Sequence, residues 1–153
     1  MADDDNAQTQ QQAPEPNPAL KALEVMVGVW ELKGRDFTTN GEIRGRSAFE
    51  WLEGGFFLFH HFNFDYAGRK ITGVEYIGYD EKSGHLKTHV FGNLGPDPLE
   101  YTWEIGEDTF TNWFGAVGSP NHYKGKFSED RNTITGAWEW PGGGYEATMT
   151  RVE

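Results

Sequence analysis

His60, Glu75 and His89 are the side chains of this sequence best suited to acid–base or anchoring chemistry, because strand alternation would bring them together. The run from Phe56 to Asp65 separates into two faces with a period of two. Phe56, Leu58, His60, Phe62 and Phe64 form one face, apolar except for His60 and therefore predicted to point inward. Phe57, Phe59, His61, Asn63 and Asp65 form the other, which turns polar. A hairpin loop over Tyr66 to Arg69 pairs Asp65 with Lys70, and counting back sets His60 opposite Glu75. Opposed side chains on one sheet face lie about 5 Å apart at Cβ. A carboxylate at that distance holds an imidazole in one tautomer and favours its charged form. The pair would serve as a polar anchor for a ligand or as a general acid and base, although a structural pair that fixes register is the commoner role of such neighbours. The same parity, carried through a turn from Asp80 to Gly84, puts His89 opposite Glu75 as well. A bulge at Gly84 would instead send Leu86, Thr88 and Val90 inward. No short ligand motif of the His-x-His kind is present, so no metal is expected.

The elements that must position these residues are short strands in unbroken succession, about ten of them, from Gly28 to Val152. Turn signals separate them, among them Asn40-Gly41, Gly54-Gly55, Ala67-Gly68 and Ser83-Gly84. Connections this short make neighbours in sequence pair as antiparallel hairpins. The predicted fold is all-β, an up-and-down antiparallel barrel wide enough to hold a small molecule. A short amphipathic helix over Ala19 to Met26, with Leu20, Leu23 and Met26 on one face, should plug one mouth. Ahead of it, residues 1–18 carry three aspartates, a Gln-rich run and Pro14, Pro16 and Pro18, and are expected to be a disordered tail. The barrel domain is then 19–153.

Alternation nominates further inward side chains. Tyr101, Trp103 and Ile105 alternate with Glu100, Thr102 and Glu104. Phe110, Asn112 and Phe114 follow, then Trp138 and Tyr145. An interior Asn needs partners and could orient a ligand carbonyl. For the aromatics, plain core packing competes with pocket lining. The outward Phe57–Phe59 pair is a candidate homodimer contact. Glycines within strands, such as Gly45, Gly73, Gly78, Gly125 and Gly136, are expected to permit bends.

Composition narrows the partners. The net charge of −11, with Lys and Arg scattered, argues against nucleic acid and anionic membrane surfaces. Cysteine is absent, which excludes disulfides, thiolate metal sites and a cysteine nucleophile. The acidic, Gln-rich start does not resemble a signal peptide, and no run reaches the roughly 20 apolar residues of a membrane helix, so a cytoplasmic location is expected. No phosphate-binding loop, nucleophile elbow or zinc spacing is found.

Gly28-Val29-Trp30, directly after the short helix, resembles the Gly-x-Trp opening motif of lipocalin-like (calycin) barrels, in which the Trp closes one end. Further stretches are Phe49-Glu50-Trp51-Leu52-Glu53-Gly54-Gly55-Phe56, Tyr76-Ile77-Gly78-Tyr79-Asp80 and Trp138-Glu139-Trp140-Pro141-Gly142-Gly143-Gly144-Tyr145, with the ending Thr148-Met149-Thr150-Arg151-Val152. Together they resemble a bacterial lipocalin-like family, domain of unknown function 1579, over roughly residues 20–152. The resemblance implies a ten-strand barrel with an interior pocket and no settled activity. Nitrobindin-type barrels are similar in architecture and ligate haem through a histidine near the chain's end. The last histidine here is His122, so haem is disfavoured and no cofactor is expected. The expected function is binding of a small apolar or aromatic molecule, with His60, Glu75, His89, Tyr101, Trp103, Asn112, Trp138 and Tyr145 lining the site. The alternative is an isomerase, cyclase or hydrolase using His60 and Glu75.

Overall fold

The computed structural model describes residues 13–153; the tail expected to be disordered lies mostly outside the described residues. Ten strands close into one antiparallel barrel, each paired with its neighbours in sequence and the first with the last. They are β1 (Gly28–Asp36), β2 (Glu42–Trp51), β3 (Leu58–Tyr66), β4 (Arg69–Asp80) and β5 (His85–Gly92), then β6 (Leu99–Ile105), β7 (Thr109–Phe114), β8 (His122–Phe127), β9 (Thr133–Trp140) and β10 (Gly143–Arg151). Closure removes the free strand edges that an open sheet would expose.

β3 begins later than alternation suggests. Leu52 to Phe57 form its connection to β2, with Gly54 and Gly55 both at positive φ and Leu52 N–H donating to the Phe57 carbonyl. Phe56 therefore belongs to that turn and not to the inward face. The helix is a 3-10 helix, Pro18–Met26, started by Pro18 and by an Asn17 side chain that accepts from Ala19 N–H at 2.9 Å.

That helix seals one end of the barrel with buried Leu20, Leu23 and Met26. Beneath it Trp30 is fully buried and its indole donates to the Met26 carbonyl at 2.8 Å. Arg151, opposite Trp30 on β10, lays its guanidinium 4.3 Å from the Trp30 ring centroid. It also donates to the carbonyls of Val25 and Val27. First and last strands and helix are thus tied together through a cation–π contact and three side-chain hydrogen bonds. Desolvation lowers the Arg151 pKa from its ordinary value.

Inward glycines make room for neighbouring rings. A Cβ on Gly45 would meet the Phe64 ring, one on Gly73 the Phe62 ring, and one on Gly125 the Tyr123 ring. Gly45 and Gly73 let rings from the adjacent strand lie across them, and Gly125 makes room for a ring of its own strand.

Candidate functional site

The β3–β4 hairpin turns on Ala67 and Gly68, both at positive φ, and pairs Asp65 with Lys70. His60 accordingly faces Glu75. His60 Nδ1 lies 2.8 Å from Glu75 Oε1, and both side chains are buried. The β4–β5 connection differs from the simplest parity. Gly84 sits at φ 74 and its N–H donates to the Asp80 carbonyl, so Asp80 pairs with His85 and Glu75 with Val90. The turn is one residue shorter than the five from Asp80 to Gly84, which inverts every side chain of β5. His89 is therefore on the outer face, 3.0 Å from Glu100, and the expected row of His60, Glu75 and His89 does not form.

Thr88 takes that inner place. Its hydroxyl donates to Glu75 Oε2 at 2.6 Å. On the other side, His60 Nε2 is 2.8 Å from Ser47 Oγ. A hydrogen-bonded chain thus runs Ser47–His60–Glu75–Thr88 across β2 to β5, with Ser47 1 % and Thr88 0 % exposed. With Glu75 ionised, Nδ1–H donates to it; in the neutral ring Nε2 then accepts from the Ser47 hydroxyl. Phe49 stacks on the His60 ring with centroids 4.0 Å apart and holds its plane. Sequence reasoning did not pair Ser47 with His60 because the two touch diagonally, one pair away from direct opposition; Thr88, inward in the alternative register at Gly84, reaches Glu75 in the same diagonal way.

The other wall is a row of directly opposed residues: Trp103, Asn112, Tyr123, Trp138 and Tyr145, running from β6 to β10. Four of the nominated residues fall on it. Tyr101 lies one step away, beside Thr88 and in edge contact with Trp138 at 6.0 Å. Trp103 and Tyr123 are buried, whereas Tyr101, Asn112, Trp138 and Tyr145 keep accessible surface. Desolvation raises the pKa values of Tyr101, Tyr123 and Tyr145, with Glu75 adding to the first and neighbouring tyrosines to the last. Of these phenols, Tyr101 and Tyr145 are half-buried on the inner face of the barrel.

The row ends at the rim opposite the helix. There Tyr66 stands edge-on to Tyr145 at 5.3 Å and its hydroxyl donates to Asp36. That hydrogen bond, with one from Thr39 N–H, holds the Asp36 carboxyl down at about 2. The adjacent rim has a notch of about 30 Å³ between Phe62, Val90, Leu94 and Leu99. It accommodates a water-sized group and not a ring. A wider recess of about 460 Å³ lies outside the barrel among Glu31, Lys33, Arg44, Arg46 and Asp65, a solvated charged face. Also outside, Phe59, Tyr76 and Phe91 form an aromatic stripe with successive centroids 5.3 and 6.2 Å apart.

Among the described residues, no group of three or more His, Asp or Glu side chains is placed to hold a metal ion. No helix of the described residues is long and apolar enough to cross a membrane.

Fold and inner wall define a helix-capped, ten-stranded antiparallel barrel with a polar chain on one side of its interior and an aromatic row on the other. Residues 15–111, more than half of the chain, match the family model described as protein of unknown function (DUF1579). The chain belongs to that family. Comparison with curated proteins gave no match.

Proposed function

We propose that the barrel binds a small, largely apolar or aromatic molecule in its interior, entering at the rim opposite the helix. The supporting observation is the inward group of half-buried aromatics Tyr101, Trp138 and Tyr145, which keep accessible surface on the inner face of a closed barrel. Aromatic walls supply most of the affinity in such sites, and a few polar groups set orientation. His60 and Glu75 stand on the facing wall, where a ligand group would orient on them by displacing Ser47 or Thr88, and the role requires no cofactor. Titration with the neutral fluorophore N-phenyl-1-naphthylamine, followed by NMR, tests this reading. Shifts should concentrate on Tyr101, Trp138 and Tyr145. Shifts confined to the outer stripe of Phe59, Tyr76 and Phe91, or no binding up to millimolar concentration, would refute it.

The Ser47–His60–Glu75 order favours one second reading, a hydrolase. Ser47 Oγ would attack a carbonyl carbon while His60 Nε2 takes its proton, then returns it to the leaving group. Water, activated by the same imidazole, would release the acyl group and restore the Ser47 hydroxyl. At 1 % exposure, Ser47 admits no substrate without rearrangement of its neighbours, which places this reading second. An activated aryl ester screen decides it. A hydrolase should lose at least a hundredfold in turnover on Ser47→Ala, whereas a binding protein should show no turnover to lose.

A further inference from the structure

Among the described residues, two buried side-chain polar atoms, both on the inner wall, have no hydrogen-bond partner within the protein: Trp103 Nε1, which can only donate, and Asn112 Oδ1, which can only accept. They belong to directly opposed residues of β6 and β7. Trp103 is 3 % exposed and is held between Phe49, at 6.3 Å, and Phe110, at 4.9 Å. An unpaired buried donor or acceptor is unfavourable, so such groups are uncommon in packed cores and call for a particular explanation. Here the contrast lies within one barrel. Across the interior, both ring nitrogens of His60 and both carboxylate oxygens of Glu75 are already partnered. The unsatisfied hydrogen-bonding capacity is on the aromatic wall.

Charge limits what can use it. In the wall Glu75 is paired with His60, and at the rim Asp36 accepts from the Tyr66 hydroxyl. Arg151, at the closed end, donates to the Val25 and Val27 carbonyls, so among the described residues the wall offers an anion no free cation. A carboxylate head group would be buried beside the already paired His60 and Glu75 with no free counter-charge, which is strongly unfavourable.

We propose that Trp103 and Asn112 form a docking edge for the amide of an uncharged ring compound, of the lactam or imide type. The ligand carbonyl would accept from the Trp103 indole N–H, and the ligand N–H would donate to Asn112 Oδ1. A cis-amide edge carries an acceptor and a donor on neighbouring atoms without ionising, as two side chains on adjacent strands require. Tyr101 and Trp138 would flank the ring. Because both atoms are withdrawn from solvent, binding must shift side chains on the inner wall to reach them. This assignment rests on interior binding as proposed above.

Four matched bicyclic probes test it against the full chain: 2-quinolinone, 2-naphthol, naphthalene and 2-naphthoate. The readout is the Trp103 indole ¹H–¹⁵N signal, identified by its loss in Trp103→Phe. Expected are binding of 2-quinolinone at least about tenfold tighter than naphthalene or 2-naphthol, a downfield shift of the Trp103 indole proton, and no measurable binding of 2-naphthoate. Asn112→Leu should abolish the amide preference, keep naphthalene binding, and hold or raise the melting temperature, since it removes an unpaired polar group. Equal binding of naphthalene, 2-naphthol and 2-quinolinone would overturn the amide edge and leave interior binding standing. A sharp loss of stability in Asn112→Leu would also overturn it, because Asn112 would then have a structural partner. Binding of none of the probes would overturn both.

Discussion

Replacing Trp30 by alanine is expected to destabilise the barrel by about 3–5 kcal/mol, the range for removing a large aromatic from a core. Trp30 is fully buried, and its loss opens a void where the 3-10 helix meets β1 and β10. It also leaves the Met26 carbonyl without its indole donor and removes the ring beneath the Arg151 guanidinium. Trp30→Phe keeps most of the packing but not the hydrogen bond, so its cost should be smaller, at about 1–2 kcal/mol. Urea unfolding of the three proteins would measure both. A cost for Trp30→Ala below about 1 kcal/mol would mean that the helix does not depend on this residue for its seat.

The second large effect concerns the polar chain. Removing Glu75 alone, as Glu75→Leu, should cost about 3–5 kcal/mol, because His60 loses its carboxylate and Thr88 its acceptor inside the barrel. His60→Leu should cost a similar amount by leaving Glu75 buried without the imidazole and Ser47 without its partner. The double substitution should cost clearly less than the sum, with a coupling of about 1–3 kcal/mol for groups in direct contact. Additive losses would show that the two side chains act independently and that the chain confers no joint stability. The comparison also separates roles. If a probe still binds to the double variant after its stability is restored by other substitutions, His60 and Glu75 are structural and the anchoring groups lie elsewhere on the wall.

The strand succession, the closing helix and the His60–Glu75 pairing were legible in the sequence because each depends on local signals. Alternation reports which face is apolar, and Ala67-Gly68 is short enough that its register follows from counting. Trp103, Asn112, Trp138 and Tyr145 were nominated the same way and do lie along one row. His89 was misplaced because the choice between two turns at Gly84 hinges on one residue's backbone, and Gly84 adopts the left-handed conformation that lets Asp80 pair with His85. Phe56 was misplaced for a related reason: two consecutive positive-φ glycines extend the turn before β3.

Strand order and the parity of β3, β4 and β6 were thus contained in the chain's own periodicity. Thr88 replacing His89 was decided by the turn at Gly84, whereas Ser47 joining His60 and the lack of protein partners at Trp103 Nε1 and Asn112 Oδ1 were decided only by the closed barrel. These depend on diagonal reach between strands and on which rings fill the space around a polar atom. A period of two carries neither, since it specifies the face of each residue but not its distance from residues on other strands.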